Sequence, residues 1–277
     1  MAKDKLIVGI DIGTTKITTV IATPGESKPN VIGVSTIYSR GLRKGQVVNI
    51  EEAVSTISQS VEAAERMAGT SVSGAFVSLG GVHIACQNSK GVVAVSEPEK
   101  EISSEDTKRV IEAAQALSLA STREILHVLP RHFTVDSQDG IIDPVGMTGV
   151  RLEVDTHIVT CSSTAARNLV KCVEELGISV EGLVFSGLAS SYSVLSDTEK
   201  ELGVMMVDIG GGTSDVCIYA EGALAYSGVI PVGAKNITND LAIGLRVSLE
   251  SAEKIKLALS QKKLSPSVMP EEKNKKE

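Results

Sequence analysis

The chain has 277 residues, of which 42% are hydrophobic, and its formal net charge is −7 at pH 7. This length allows roughly two domains with sizeable cores, whereas the acidic balance argues against a nucleic-acid surface, which needs clustered lysines and arginines. No apolar run approaches the roughly 20 residues that span a bilayer, and Asp11 interrupts the first apolar stretch too early for a signal peptide, so the sequence predicts a cytoplasmic protein.

The first 80 residues alternate short strands with one long helix. Apolar positions recur at steps of three and four from Ile50 to Ala68, which predicts an amphipathic helix that ends near Gly69. Strands that alternate with a helix of this length predict an α/β layer architecture. The predicted strands are a first strand from Leu6 and then residues 18–22, 31–39 and 75–79.

From about residue 80 to residue 160 the pattern changes to glycine turns, short strands and one helix. Ser103 to Asp106 has the arrangement of a capping box, which predicts the start of that helix. The change of pattern predicts a small inserted α+β subdomain. Its predicted strands are residues 91–96, 125–136 and 150–161.

After this insert, strands and helices alternate again. A helix begins at Ser163 and stops at Gly177, and a strand covers residues 180–185. The next helix, residues 187–195, is predicted to run directly into the strand that begins at Val204.

The last part of the chain is predicted to be mostly helical. A strand pair turns around residues 221–222, one helix follows Gly233, and a last helix begins near Ser248. Residues 260–277 are rich in lysine and glutamate, contain two prolines and have almost no apolar residues, which predicts a disordered tail.

Neither the cysteines nor the histidines are spaced as metal ligands. The cysteines form no C-x-x-C pair and most lie among apolar residues, so they are predicted to be reduced core residues. The histidines are scattered through strand-like segments, which is typical of structural histidines. These residues are Cys86, Cys161, Cys172, Cys217, His83, His127, His132 and His157.

Residues 204–216 carry the strongest functional signal. The segment is an apolar strand that leads through Asp208 into three consecutive glycines and then Thr213. Backbone amides can lie against an oxyanion only where no Cβ is in the way, and a carboxylate there can hold hydrated Mg²⁺. For the triplet alone, a glycine-rich hairpin turn without a ligand is an equally good interpretation.

A second copy of the pattern favours the phosphate site. From Leu6, an apolar strand leads through Asp11, Ile12 and Gly13 to two threonines and Lys16. Two such loops predict two sides of one phosphate tail, and neither matches the Walker or the dinucleotide glycine spacing. The repeat resembles the actin and heat-shock-chaperone ATPase superfamily, in which two related halves clamp a nucleotide.

Four longer segments make the resemblance more specific. Residues 78–88, 126–130, 144–151 and 185–195 are similar to the FtsA family of bacterial cell-division proteins, and the similarity extends to about Leu259. It implies an α/β fold of the actin-like, ribonuclease H-like duplicated type with an inserted small α+β subdomain. The implied divisions are a first large subdomain (1–83 and 161–197), the insert (84–160), the start of a second large subdomain (198–243), the start of its small subdomain (244–260) and a tail (261–277).

The resemblance also implies the site residues. Gly13, Thr14, Thr15 and Lys16 would cradle the phosphates of ATP from one side, and Gly210, Gly211, Gly212 and Thr213 from the other. Asp11 and Asp208 would bind Mg²⁺ through water, and Asp208 is the candidate for a catalytic role. Glu253 and Lys256 would reach the nucleoside, although on physical grounds they could be an ordinary solvated face.

Members of this family bind ATP, polymerise head to tail and hold the tubulin-like protein FtsZ at the inner membrane through a C-terminal amphipathic helix. The resemblance therefore implies a division scaffold at the cytoplasmic face of that membrane, with partners that include FtsZ and later division proteins. The sequence ends just inside the subdomain expected after residue 243, so membrane attachment is expected to be indirect. Gly233-Ala234 replaces a Gly-Gly pair that often precedes the next helix, which makes a close backbone approach there less certain.

Two alternatives stay open at this point. A pilus-assembly actin-like protein can carry a comparable insert and would bind a short peptide of a membrane partner. A small-molecule kinase of the same clamp design would need an acid or base that positions the acceptor, and no stretch nominates one. Near the expected attack site only Ser186 is available to orient water, so at most slow ATP hydrolysis is expected.

Overall fold

The computed structural model describes residues 6–26, 28–96 and 101–261. These residues fall into two units that divide between Gly233 and Ala234. The first unit contains β1 (Ile7–Ile12), β2 (Lys16–Thr23), β3 (Asn30–Tyr38), β4 (Leu42–Arg43), β5 (Gln46–Val47), α1 (Ile50–Ala68), β6 (Gly74–Leu79), β7 (Ala85–Ala94), α2 (Ser104–Gln115), β8 (Arg123–Val135), β9 (Gln138–Ile141), β10 (Arg151–Ser162), α3 (Ser163–Glu174), β11 (Ser179–Phe185), α4 (Ser186–Val194), α5 (Asp197–Leu202), β12 (Val204–Ile209), β13 (Ser214–Ala220) and β14 (Ala223–Ile230). The second unit contains α6 (Ala234–Leu245) and α7 (Leu249–Gln261).

The first sheet has the strand order β11-β6-β1-β2-β3. β1, β2 and β3 form an antiparallel meander, whereas β6 and β11 run parallel to β1. Alternate residues of β2, Ile17 and Ile21 among them, are fully buried, as the period-two pattern of a half-buried strand requires. β1 is therefore a central strand, and its end holds Asp11 at a fixed position.

Helix α1 covers this sheet and has the predicted bounds. Ala53, Ile57 and Ala64 lie on its buried face. The side chain of Asn49 accepts a hydrogen bond from the Glu52 amide and caps the N-terminus. Gly69 ends the helix at φ 70°, a left-handed conformation that glycine adopts without strain.

The insert is a four-stranded antiparallel sheet of order β7-β10-β8-β9, with α2 packed on it. It has its own core, which includes Val110, Phe133 and Leu152. The predicted capping box is confirmed, since Ser103 Oγ accepts from the Asp106 amide and Asp106 Oδ2 accepts from the Ser103 amide. β7 begins at residue 85, six residues before its predicted start.

A buried histidine of the insert contacts β14. His157 Nδ1 lies 2.7 Å from Asn88 Oδ1, and its Nε2 lies 2.8 Å from Ser227 Oγ. Burial, and secondarily the charge of Arg131, lowers the pKa of His157 to about 4, so the ring is neutral at neutral pH. His157 is therefore a structural histidine, as predicted.

The third sheet is an antiparallel meander of order β12-β13-β14. The prediction that the preceding helix runs directly into β12 is wrong, because α5 lies between α4 and β12. Ser196 and Glu199 form a capping box that starts this short helix. The four cysteines are free thiols, and all except Cys86 are buried.

The second unit is a helix pair, α6 and α7. None of the helices in the described part of the chain is both long and apolar enough to span a membrane. The disordered tail was predicted to begin at residue 260, but α7 extends to Gln261. The rest of the predicted tail, from residue 262 onward, lies outside the described residues. The subdomain boundaries proposed from the sequence stay a prediction.

Candidate functional site

The two predicted loops are hairpin turns of the same geometry. In the β1–β2 turn the amide of Gly13 donates to the carbonyl oxygen of Lys16 over 3.0 Å. In the β12–β13 turn the amide of Gly210 donates to the carbonyl oxygen of Thr213 over 2.9 Å. The first glycine of each turn, Gly13 or Gly210, comes two residues after an aspartate. The repeat seen in the sequence is thus a repeat of backbone structure.

The tips of the two turns meet. A Cβ atom at Gly211 would overlap with Thr15 Oγ1, and one at Gly212 would lie 3.0 Å from Thr14 Cγ2. A Cβ atom at Gly233 would lie 2.6 Å from the carbonyl oxygen of Gly210. A side chain at Gly211 or Gly212 would therefore press on the threonines of the facing turn, whereas one at Gly233 would meet the backbone of residues 210–212 itself.

The polar groups of the first turn differ in their environment. Thr14 Oγ1 accepts a hydrogen bond from the Gly45 amide over 2.9 Å, which ties the turn to the β4–β5 hairpin. Thr15 Oγ1 is buried and has no hydrogen-bond partner within the described residues. Lys16 is exposed, and no ion pair with it occurs among residues 6–26, 28–96 and 101–261. A buried hydroxyl without a partner is a place where a polar ligand atom would relieve a desolvation cost.

A serine holds each of the two predicted magnesium-binding carboxylates. Asp11 accepts from Ser78 Oγ over 2.6 Å, and Ser78 Oγ itself accepts from the Ile12 amide. Asp208 accepts from Ser190 Oγ over 2.6 Å. Ser78 belongs to β6 and Ser190 to α4, so the neighbouring elements fix the direction of both carboxylates.

The sequence interpretation missed a third carboxylate of the candidate site, that of Asp215. Asp215 is directly opposite Asp208 in the β12–β13 register and is only 6% exposed. Its Oδ2 accepts from Ser186 Oγ over 2.8 Å, whereas its Oδ1 is buried with no partner within the described residues.

Burial raises the pKa of Asp215 to about 6, and the negative charges of Asp208 and Asp11 add to this rise against the hydrogen bond from Ser186. A carboxyl group with this pKa exchanges protons near neutral pH. Ser186, predicted as the only group able to hold water, instead donates its hydroxyl to Asp215. Asp215 shares the inward series of β13 with Cys217 and Tyr219, and the sequence of the strand, which has apolar residues on both faces, did not identify that series.

Glu253 and Lys256, the predicted nucleoside contacts, lie in the second unit and bind each other. Lys256 Nζ is 2.7 Å from Glu253 Oε2, and Thr238 Oγ1 donates to the same oxygen over 2.5 Å. The hydrogen bonds from Lys256 and Thr238 lower the pKa of Glu253. These contacts link α6 to α7, and a role toward a nucleoside stays a prediction.

Sequence comparison finds two family models in the chain. One, described as the SHS2 domain inserted in FtsA, matches residues 81–160, and the other, cell division protein FtsA, matches residues 205–277. The cell division protein FtsA of Pseudomonas aeruginosa is 44% identical over 254 residues, and that of Borreliella burgdorferi is 45% identical over 253 residues. These alignments cover 91% of the chain and 60% and 61% of the two relatives. The chain thus spans about 60% of the length of these relatives.

Structural comparison gives the fold independently of sequence identity. A solved type IV pilus biogenesis complex of PilM and PilN superposes with a TM-score of 0.69 at 14% identity, covering 93% of this chain and 70% of that one. At this identity the likeness concerns the fold alone. The predicted α/β actin-like fold with its inserted subdomain is confirmed.

Proposed function

The chain belongs to the FtsA family of cell division proteins, and from this premise we propose that it binds ATP with Mg²⁺ at its paired hairpin turns and acts as an actin-like scaffold of cell division. The observation that carries the proposal is the meeting of two hairpin turns that share one backbone hydrogen-bond pattern, each with an aspartate two residues before its first glycine. Family membership also decides against the pilus-assembly and small-molecule kinase alternatives.

The residues around the turns fit this ligand. Thr15 Oγ1 and Asp215 Oδ1 are buried without partners in the described part of the chain, and Gly211 leaves no room for a side chain. We assign the amides and hydroxyls of residues 13–16 and 210–213 to the phosphates. Asp11 and Asp208, each fixed by a serine, would hold the waters of Mg²⁺. When bound, the ion supplies charge neutralisation for the phosphate oxygens.

We assign the proton-accepting role to Asp215, in place of the Asp208 predicted from the sequence. Ser186 fixes one oxygen of Asp215, and the other oxygen is left to hold a water. Asp208 is assigned to the waters of Mg²⁺, so its oxygens are not free for the same role. Hydrolysis is expected to be slow, because the described residues offer no further group to orient the water.

The partners follow from the family in the same way. We propose that the chain associates head to tail with copies of itself and binds FtsZ and later division proteins at the cytoplasmic face of the inner membrane. Co-sedimentation with FtsZ filaments tests this part. Equal amounts of the chain in the pellet with and without FtsZ would contradict it.

The test of nucleotide binding is a titration with a fluorescent ATP analogue. Asp208→Asn should weaken binding at least tenfold in Mg²⁺, and the deficit should shrink when EDTA replaces Mg²⁺, because the lost contact is to the ion. Asp139→Asn is the matched control, since Asp139 is exposed on β9 and far along the chain from either turn. Equal affinities of the wild type and Asp208→Asn in Mg²⁺ would refute the assignment.

A further inference from the structure

A cavity of about 480 Å³ lies between β8 of the insert, helices α4 and α5, and the β13–β14 turn. Its volume is within the range of roughly 300 to 1,000 Å³ that small-molecule sites occupy. Apolar side chains form most of its wall, among them Leu129, Phe133 and Leu188. Two cations, Arg131 and Lys200, also line it, and neither is part of the paired turns.

Arg131 reaches this cavity because β8 contains a bulge. In the β8–β10 register His132 pairs with Asp155 and Pro130 pairs with Thr156, so Arg131 is the extra residue without a partner. A bulge redirects the side chain of the strand that contains it. The Nε atom of Arg131 is buried and makes no hydrogen bond, and the described residues give its guanidinium group no ion pair. An arginine in this state lacks the planar anion that its donors fit best.

Lys200 is the second cation and is more deeply buried, at 8% exposure. Its Nζ lies 5.1 Å from the ring centroid of Tyr192 and 5.8 Å from that of Tyr219. The nearest carboxylate, that of Asp197, is 3.6 Å away and fully exposed to solvent. Aromatic faces and a screened carboxylate compensate a buried ammonium group only in part.

The carboxylates of the cavity lie at its mouth. Glu201 and Glu221 are exposed, as is Asp197. The cations are thus inside and the anions outside. A ligand with one negative charge can place it at the cations, whereas a polyanion such as a nucleoside triphosphate would bring further charge against the acidic mouth.

We propose that this cavity binds a small organic monoanion, with its anionic group on Arg131 and Lys200 and its apolar body against Leu129, Phe133 and Leu188. The site is separate from the hairpin turns and does not depend on nucleotide binding.

The experiment compares two fluorescent probes that differ in charge, dansylglycine and dansylamide. The wild-type chain should bind dansylglycine saturably and at least tenfold more tightly than the neutral dansylamide. Arg131→Gln should remove about tenfold of the affinity for dansylglycine and leave that for dansylamide unchanged, which also shows that the cavity is intact. Arg167→Gln, at an exposed arginine of α3, is the matched control and should change neither. Equal affinity of the two probes, or equal binding by Arg131→Gln and the wild type, would overturn the proposal.

The tyrosines of the chain locate the bound probe. The sequence contains four tyrosines, and two of them, Tyr192 and Tyr219, line the cavity. In 3-fluorotyrosine-labelled protein, dansylglycine should shift the fluorine resonances of these two and leave those of Tyr38 and Tyr226 in place. Shifts confined to Tyr38 or Tyr226, or displacement of the probe by Mg²⁺ and ATP, would place it elsewhere and overturn the proposal.

Discussion

Replacement of Asp215 by asparagine should stabilise the ligand-free protein at neutral pH. Folding moves this carboxyl group to a position only 6% exposed and raises its pKa from an ordinary 3.8 to about 6. At about 1.36 kcal/mol per pH unit, the charged form destabilises the native state by about 3 kcal/mol. Asparagine carries no charge, and its carbonyl oxygen can still accept the hydrogen bond from Ser186.

The sign of the pH dependence follows from linkage. Below about pH 4 the carboxyl group is protonated in both states and the penalty is absent, whereas above about pH 6 it is ionised in both and the penalty is complete. The stability gained by Asp215→Asn should therefore rise between pH 4 and pH 6 and then stay constant.

Urea denaturation of both proteins in EDTA from pH 5 to pH 8 measures this difference. Asp139→Asn removes an exposed carboxylate and should change the free energy of unfolding by less than about 0.5 kcal/mol at any pH. A gain for Asp215→Asn that is absent at pH 8, or that does not change between pH 5 and pH 8, would refute the reasoning.

Four further outcomes are expected. Gly211→Ala should weaken binding of the ATP analogue and lower the free energy of unfolding, because the new Cβ would overlap with Thr15 of the facing turn. Gly9→Ala, whose Cβ would meet nothing within 4 Å, should do neither. Equal effects of the two substitutions in titration and urea denaturation would contradict this. His157→Gln should lower the free energy of unfolding at pH 7, because the contacts to Asn88 and Ser227 are lost. The loss should be smaller at pH 5, because the wild type itself loses stability as pH falls from 6.5 toward about 4. A difference between the two proteins that grows on acidification would be evidence against a neutral His157. Steady-state phosphate release from ATP should stay below about one per second, and a faster rate would contradict the expectation of slow hydrolysis. Hydrogen exchange should be faster in β12, an edge strand, than in the central strand β1, and equal protection would contradict the inference from sheet order.

The sequence predicted those parts of the fold that depend on local chemistry. Helix α1 has its predicted bounds because Asn49 and Gly69 supply both caps and its apolar residues keep one period. The early start of β7 could not be predicted in the same way, because residues 85–90 are small or polar. Pairing with β10 on one side makes them a strand, and such a tertiary contact overrides local propensity. Helix α5 could have been predicted from the sequence, because Ser196 and Glu199 have the spacing of a capping box.

The three carboxylates of the candidate site also show that a feature set by tertiary packing is not predicted from the local sequence. Asp11 and Asp208 were proposed from the sequence because a glycine follows each of them two residues later. Asp215 was not, because β13 has apolar residues on both faces, so its sequence does not show which face is inward. Packing against α4, through Ser186, decides that Asp215 is buried. A native state that keeps an ionisable group there, with one oxygen unpaired, is destabilised until a cation or a proton donor enters the cleft. Mg²⁺ with ATP should therefore raise the urea midpoint of the wild type by more than that of Asp215→Asn, and an equal rise in both would show that the ligand does not reach this carboxylate.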